Sequence, residues 1–169
     1  MWKFTGQQRP EFALDANDGQ ESVWDYPRPP VLVDCTQLVE VTAGAKIIAR
    51  SSRSKRVLET ASPPTVYIPP EDIQRDLLIH VAGNSYCEWK GAAAYWALSD
   101  SPGTPIGWSY PDPSPAFAAI QDWLCFYPGR INCSIDGERV RPQEGGFYGG
   151  WVTDNIVGPW KGPPDTGHW

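Results

Sequence analysis

Apolar and polar residues alternate in short runs along most of the chain, and proline or glycine separates the runs. A two-residue period is typical of strands that bury one face. Residues 37–51, QLVEVTAGAKIIARS, predict a two-stranded hairpin around Gly44, and residues 56–60, RVLET, continue as a third extended segment. Asp136-Gly137 predicts a tight hairpin between two further strands.

Residues 86–98, YCEWKGAAAYWAL, also have the composition of a strand. A continuous strand would place Cys87 and Trp89 on one face and Glu88 and Lys90 on the other. In that geometry Lys90 does not flank Cys87 unless the glycine that follows Lys90 bends the chain. Glu88 and Lys90 would then form either a solvated ion pair or a pair that orients a ligand.

Two short helices are predicted among the strands. Residues 70–78, PEDIQRDLL, carry a proline and two acidic residues in the first turn, which suits a helix N-terminus. Residues 114–124, SPAFAAIQDWL, place Ser114 as the N-cap and Pro115 at the first helical position. The whole pattern predicts a mainly β fold: a single compact domain of antiparallel strands with two short helices and extended terminal arms.

Composition divides the chain into three regions. Residues 1–37 are predicted to form a proline-punctuated N-terminal arm with Trp24 and Tyr26 as anchors, residues 38–141 the core β domain, and residues 142–169 a Gly/Trp-rich C-terminal tail. The tail either wraps around the domain or contacts a partner. The sequence Trp-Lys-Gly occurs in both the core domain and the tail, but one short recurrence does not predict a repeat architecture.

Size and charge limit the classes of partner. The 169 residues are enough for one domain with its own core. A net charge of −6 argues against nucleic acid, because the phosphate backbone would be repelled. The basic run at residues 50–56, RSSRSKR, is either a solvated loop or an anion-capturing one. No run is long enough to cross a bilayer and no signal peptide is recognisable, so we expect a cytoplasmic protein with no membrane partner.

The thiols and amines offer two candidate reactive groups. Four cysteines without a Cys-x-x-Cys pair fit a reduced protein with small buried thiols. Cys87 is the candidate nucleophile, but a reactive thiol needs a nearby cation or helix N-terminus, which the local sequence does not supply. The alternative is a structural thiol packed beside aromatic rings. Lys90, between tryptophan and glycine, is the candidate acid or base because such a setting partly desolvates an amine.

Histidines are scarce for the common catalytic and metal sites. His80 and His168 are the only two, so a three-histidine metal site is not available and a Ser-His-Asp triad would have to use one of these two. The glycine-rich residues 145–151, GGFYGGW, lack the spacing of a phosphate-binding loop. We therefore expect no metal and no tightly held cofactor.

Nine tryptophans and seven tyrosines supply material for an aromatic-lined pocket. The rings on predicted strands are Tyr67, Trp89, Tyr95, Trp96, Trp108 and Tyr110. Half of them must lie in the core because strands alternate faces. The predicted ligand-binding set is Glu59, Tyr67, Trp89, Tyr95 and Trp108, with Cys87 and Lys90 as candidate catalytic residues.

Five motifs in a fixed order carry a family resemblance: RVLET, PPTVYIPPEDI, CEWKGAAAYW, WSYPDP, and FAAI followed by FY. They extend over about residues 38–141. In these motifs the chain resembles domain-of-unknown-function family 427, which is also filed under a nucleotidyltransferase label. The N-terminal arm and the tail PQEGGFYGGWVTDNIVGPWKG resemble those of longer members.

The resemblance implies a compact β-tent-like domain, as in methionine sulfoxide reductase B and the ligand-binding domain of cereblon. Those relatives hold zinc through paired Cys-x-x-Cys motifs, which are absent here, so the metal does not carry over. By analogy with the aromatic cage of the cereblon domain, Trp89, Tyr95 and Trp108 would surround a ligand. Nucleotidyl transfer normally needs clustered metal-binding carboxylates. The acids available here are dispersed: Glu59, Asp72, Asp76 and Glu88.

These features favour a small-molecule-binding domain with an aromatic-lined polar pocket. In this hypothesis the rings stack on an unidentified small molecule, Lys90 binds an anion or carbonyl, and Glu59 accepts hydrogen bonds. A second hypothesis is an enzyme, including a transferase, that acts on a small molecule or nucleotide through Cys87 or Lys90. A third is a partner-binding or self-association module that forms a homo-oligomer through the terminal arms.

Overall fold

The computed structural model describes all 169 residues and is mainly β. The longer strands are β2 (Val31–Cys35), β3 (Val39–Ala43), β4 (Lys46–Ser51), β5 (Ser54–Leu58), β6 (Thr65–Tyr67), β7 (Leu78–Val81), β10 (Ala94–Leu98), β11 (Gly107–Ser109) and β13 (Asn132–Ile135). The two-residue strands are β1 (Glu21–Ser22), β8 (Tyr86–Cys87), β9 (Gly91–Ala92), β12 (Cys125–Phe126), β14 (Glu138–Arg139), β15 (Arg141–Pro142), β16 (Trp151–Val152) and β17 (Ile156–Val157). The mainly β prediction is therefore confirmed.

Three antiparallel sheets form the body of the protein. Their strand orders are β12-β11-β10-β7, β14-β13-β3-β4 and β2-β5-β6. Two small antiparallel pairs, β8–β9 and β15–β16, and the parallel pair β1–β17 complete the strand pairing. Strand β2 falls within the predicted N-terminal arm, yet it pairs along its whole length with β5.

Both predicted hairpins are confirmed. Strands β3 and β4 pair around Gly44, which has a φ of 60°. Strands β13 and β14 pair around Asp136 and Gly137, with φ values of 48° and 82°. Two consecutive positive φ angles match the right-handed twist of the flanking strands, and aspartate followed by glycine tolerates them well.

The two predicted helices form only short 3-10 helices: Pro70–Asp72 and Arg75–Leu77 in place of the first, and Pro115–Ile120 in place of the second. A further 3-10 helix, Val23–Asp25, was not predicted. The first predicted helix stops at Asp72 because Ile73 takes an extended conformation and forms a bridge to Ala49 of β4. Tertiary pairing thus overrides the local helical signal. None of these helices has the length or apolar character needed to cross a membrane.

The main core is one cluster of 23 buried residues drawn from all three sheets and from the tail. Trp151 of the tail is 1% exposed within it, and its Nε1 donates to the carbonyl of Phe126 at 2.9 Å. A second cluster joins the arm to the tail: Val23, Trp24, Tyr26, Ala61 and Ile156. Trp24 Nε1 donates to the carbonyl of Pro159 at 2.7 Å. Both terminal segments therefore pack on this chain's own core.

The basic run at residues 50–56 is engaged in surface ion pairs. Arg53 pairs with Asp72, Lys55 with Asp34, and Arg56 with Glu21. Three of its cations thus already have anionic partners on the same chain. The solvated interpretation fits this arrangement better than the anion-capturing one.

We expect Glu21→Gln to destabilise the fold in a pH-dependent way. Hydrogen bonds from Arg56 hold the pKa of Glu21 below its ordinary value, against partial burial, and Tyr26 adds a further donor. A depressed carboxylate pKa adds stability above the unfolded pKa of about 4.3, and this is lost as pH falls through the folded pKa. Because the side chain is 38% exposed, the loss at pH 7 should be about 1 kcal/mol.

Urea unfolding of both proteins at pH 7 and near pH 3 checks this expectation. The difference in free energy of unfolding should shrink as Glu21 becomes protonated. Glu11→Gln, which removes an exposed carboxylate without an ion-pair partner, should leave stability unchanged at both pH values. A Glu21→Gln deficit that is equal at the two pH values would contradict the electrostatic explanation.

Candidate functional site

A single cavity of about 620 Å³ brings the candidate residues together. Its walls come from β5, β6, β10 and β11, from residues 85–90, and from both terminal segments. All seven residues predicted from the sequence line it: Glu59, Tyr67, Cys87, Trp89, Lys90, Tyr95 and Trp108. Tyr110 lines it too, whereas Trp96 does not. Their roles in binding or catalysis stay predictions.

A turn places Cys87 and Lys90 in the same cavity. The predicted continuous strand over residues 86–98 is wrong, because β8 ends at Cys87 and β9 begins only at Gly91. Gly91 has a φ of 107°, which favours glycine, and it bends the chain directly after Lys90. Ser114 fixes the turn from outside: its Oγ donates to the Trp89 carbonyl at 2.5 Å, and its backbone N–H donates to the Lys90 carbonyl at 3.2 Å.

Two strands from different sheets build the aromatic floor. Trp108 of β11 donates from Nε1 to the hydroxyl of Tyr67 of β6 at 3.2 Å, and the two rings are perpendicular with centroids 6.2 Å apart. The ring of Tyr127 lies 4.6 Å from that of Trp108. Burial raises the pKa of Tyr67 well above its ordinary value, so this hydroxyl stays neutral and can both donate and accept.

Glu59 holds the wall tryptophan in place. Its Oε1 accepts hydrogen bonds from Nε1 of Trp89 and from Nε of Arg28, each at 3.2 Å. The Arg28 side chain is 3% exposed, and its pKa is lowered by burial although Glu59 opposes the shift. Oε1 of the carboxylate expected to accept hydrogen bonds from a ligand is thus already occupied by two donors of the protein. Sequence reasoning missed Arg28, which lies between prolines and looked like part of an extended arm.

Lys90 is buried without an anionic partner. The residue is 7% exposed, and none of the salt bridges or side-chain hydrogen bonds of the chain involves its ammonium. Its Nζ lies 5.5 Å from the ring centroid of Phe117 and 5.7 Å from that of Tyr110. Both rings are within the distance at which an ammonium is attracted to an aromatic face.

A second buried lysine, Lys161 of the tail, lines the same cavity. The residue is 4% exposed, and its Nζ lies 3.9 Å from the ring centroid of Trp2. Burial lowers the pKa of Lys161, with Glu59 and then Glu88 opposing the shift and Arg28 adding to it. Sequence reasoning missed Lys161. The signal was the recurrent Trp-Lys-Gly sequence, which supplies both cavity lysines.

The tail lies directly against the cavity wall. An added Cβ at Gly149 would lie 2.2 Å from Cη2 of Trp108, so only a glycine backbone can approach that ring so closely. Next to it, Phe147 and Tyr148 reach the cavity, and Phe147 is 78% exposed. Together with Trp2 of the N-terminal arm, these residues form the outer wall.

Only one of the four thiols is accessible. Cys87 is partly exposed, whereas the other three are buried: Cys35, Cys125 and Cys133. Burial raises the pKa of Cys125 and that of Cys133. Neither histidine lines the cavity, so Cys87 has no imidazole base there. No group of three or more His, Cys, Asp or Glu side chains is placed to hold a metal ion.

A comparison with protein families agrees with the resemblance in the sequence. A family model described as Domain of unknown function (DUF427), with the label NTP_transf_9, matches residues 31–138. No curated protein matches the chain. The matched span contains all seven candidate residues, whereas Trp2, Tyr148 and Lys161 lie outside it.

Proposed function

We propose that this chain, which belongs to the family described as Domain of unknown function (DUF427), binds a small ring-bearing molecule in the aromatic-lined cavity. One observation carries the proposal: seven residues chosen for their chemistry, from separate segments of the sequence, all line a single cavity. Thirteen of its 27 lining residues are hydrophobic, and the others include charged side chains such as Glu59 and Lys90. Its volume of about 620 Å³ is in the range of small-molecule sites.

The aromatic rings are held in fixed orientations that suit stacking on a planar ligand. Trp89 is oriented through Nε1 by Glu59, and Trp108 through Nε1 by Tyr67. Tyr95 is held by a hydrogen bond from its hydroxyl to Ser85 at 2.5 Å. Polar atoms at the ring edges are thus satisfied by the protein, and the partly exposed rings of Trp89 and Tyr95 have surface left for stacking, whereas Trp108 is 8% exposed and forms the floor. Rings fixed before binding lose little conformational freedom when the ligand arrives.

Protection of Cys87 from alkylation tests this function. Cys87 is the only accessible thiol and lines the cavity, so a bound molecule should shield it from iodoacetamide. We expect ring-bearing compounds from a fragment library to slow labelling in a saturable manner at pH 8. Cys87→Ser identifies the labelled site, because that variant should remain unlabelled while folded.

A matched pair of tryptophan variants localises the binding. Trp89→Ala should weaken binding of the protective compounds about fivefold or more, since an aromatic contact contributes about 1 kcal/mol beyond its buried area. Trp96→Ala removes a similarly half-buried ring that does not line the cavity, and it should leave affinity unchanged. The proposal fails if no ring compound protects Cys87 at millimolar concentration, or if both variants weaken protection equally.

A further inference from the structure

Two lysines without anionic partners share one cavity. Lys90 and Lys161 both line it, both are less than a tenth exposed, and neither takes part in a salt bridge. Neither ammonium is sealed from the cavity, since Ser54 Oγ is the only fully buried side-chain N or O atom without a hydrogen-bond partner. Two unpaired cations that face one cavity are therefore free to pair with a ligand of opposite charge.

The cavity wall has more basic than acidic residues, although the chain as a whole has more acidic than basic ones. Asp and Glu outnumber Lys and Arg by 20 to 14 in the sequence, whereas the wall carries three cations and two acids. The cations are Lys90, Arg130 and Lys161, and the acids are Glu59 and Glu88. Arg28 already pairs with Glu59, and Glu88 is exposed without an ion-pair partner. The wall therefore has an excess of positive charge.

The two lysines are delivered by the same local sequence from distant parts of the chain. In each case tryptophan precedes the lysine, and the glycine after it has a positive φ, 107° at Gly91 and 141° at Gly162. The aromatic neighbours differ: Tyr110 and Phe117 lie near Lys90, and Trp2 and Tyr148 lie near Lys161. The two ammonium groups thus have separate aromatic surroundings at the same cavity.

We propose that the cavity selects ring-bearing ligands that carry an anionic group, a carboxylate or a phosphate, which Lys90 and Lys161 bind. This inference rests on the proposed function and adds the chemical class of the ligand. An anion would supply each lysine with the directly paired counter-charge that it lacks, since Glu59 and Glu88 act on Lys161 only from beyond ion-pair distance. Charge-assisted hydrogen bonds are stronger than neutral ones. Lys161 and its neighbour Trp2 lie outside the span matched by the family model, so the terminal segments complete this site.

Three probes with the same ring system test the selection for charge: naphthoate, naphthyl phosphate and the neutral naphthamide. Their affinities for the wild-type protein are measured by protection of Cys87 and by tryptophan fluorescence. We expect at least one anion to bind about tenfold or more tightly than naphthamide, as charge-assisted contacts imply. Tight binding of only one anion supports the proposal and identifies the anionic group.

Lysine variants show whether the two ammonium groups cause the preference. Lys90→Met and Lys161→Met should each reduce the ratio of anion to amide affinity, and the double variant should bring it close to one. Lys46→Met, which removes an exposed lysine outside the cavity, should leave the ratio unchanged. Lys90→Gln provides a second variant with a neutral polar end.

The outcomes separate this inference from the function on which it rests. If naphthamide protects Cys87 as well as the anions do, the anion inference is overturned while small-molecule binding stands. The inference is also overturned if the anion preference survives in the double variant. If none of the three probes, and no fragment, protects Cys87, both proposals fail.

Discussion

Trp151→Ala is expected to lower the free energy of unfolding by about 4 kcal/mol, since truncating a buried tryptophan costs about 3–5 kcal/mol. Trp151 is the largest side chain that is almost fully buried. Its removal opens a cavity in the main core, and it also leaves the carbonyl of Phe126 without its donor. Urea unfolding followed by circular dichroism measures the effect as a shift in midpoint at unchanged slope.

Trp151→Phe is the matched control for this prediction. It keeps most of the ring volume and loses the Nε1 donor, so its cost should be clearly smaller than that of alanine. If alanine and phenylalanine cost the same, the hydrogen bond to Phe126 and not the volume carries the effect. A loss below about 0.5 kcal/mol for alanine would mean that the Trp151 side chain is not part of the core, because substitutions at exposed sites usually change stability by no more than that.

The position of Trp151 bears on self-association through the tail. Residues 142–169 supply a core side chain and pair with the rest of the chain through β15–β16 and β1–β17. Deleting the tail would therefore expose core surface, and the shortened chain would be prone to associate for that reason alone. A test of oligomeric state needs the full chain.

Arg28→Ala is expected to cost about 3 kcal/mol, at the low end of the range for breaking a buried ion pair by removing one partner. The guanidinium donates to Glu59 and to the backbone carbonyls of Phe4, Thr60 and Trp169. Without it the Glu59 carboxylate keeps only the Trp89 donor. The two terminal segments also lose their shared hydrogen-bonding centre.

Two measurements separate this effect from a general loss of positive charge. Arg139→Ala, which removes an exposed arginine without an ion pair, should change stability by less than about 0.5 kcal/mol. Hydrogen exchange should show that Arg28→Ala increases the amide exchange rates, relative to the wild-type protein, more at both termini than in β3 and β13. Equal costs for the two arginine variants would refute the central role given to Arg28.

Short-range sequence patterns correctly predicted the hairpins and the types of residue that line the cavity. They failed where a contact with a distant segment decided the backbone conformation. Glycine and aspartate at Gly44 and at Asp136-Gly137 determine tight turns whatever surrounds them. In contrast, Ile73 leaves its helix to bridge Ala49. The turn that orients Lys90 depends on Ser114, which lies more than twenty residues away in the sequence.

The choice of aromatic residues illustrates the same division. Tyr67, Trp89, Tyr95 and Trp108 all line the cavity, and the similar Trp96 lies outside it, where its ring faces the Arg75 guanidinium at 4.8 Å. Alternation along one strand says which rings share a face. It does not say which of the two faces meets a cavity, because that depends on what the other sheets place opposite.

The sequence by itself determined a mainly β protein, its family, its tight turns and the residue types that line the cavity, because these follow from short-range steric preferences and side-chain chemistry. Only the tertiary structure decided that Lys161 lines the same cavity as Lys90, that Arg28 forms an ion pair with Glu59, and that the tail contributes Trp151 to the core. The physical reason is that burial and pairing depend on contacts between segments far apart in the chain. Periodicity within a single segment contains no information about the partner it will meet.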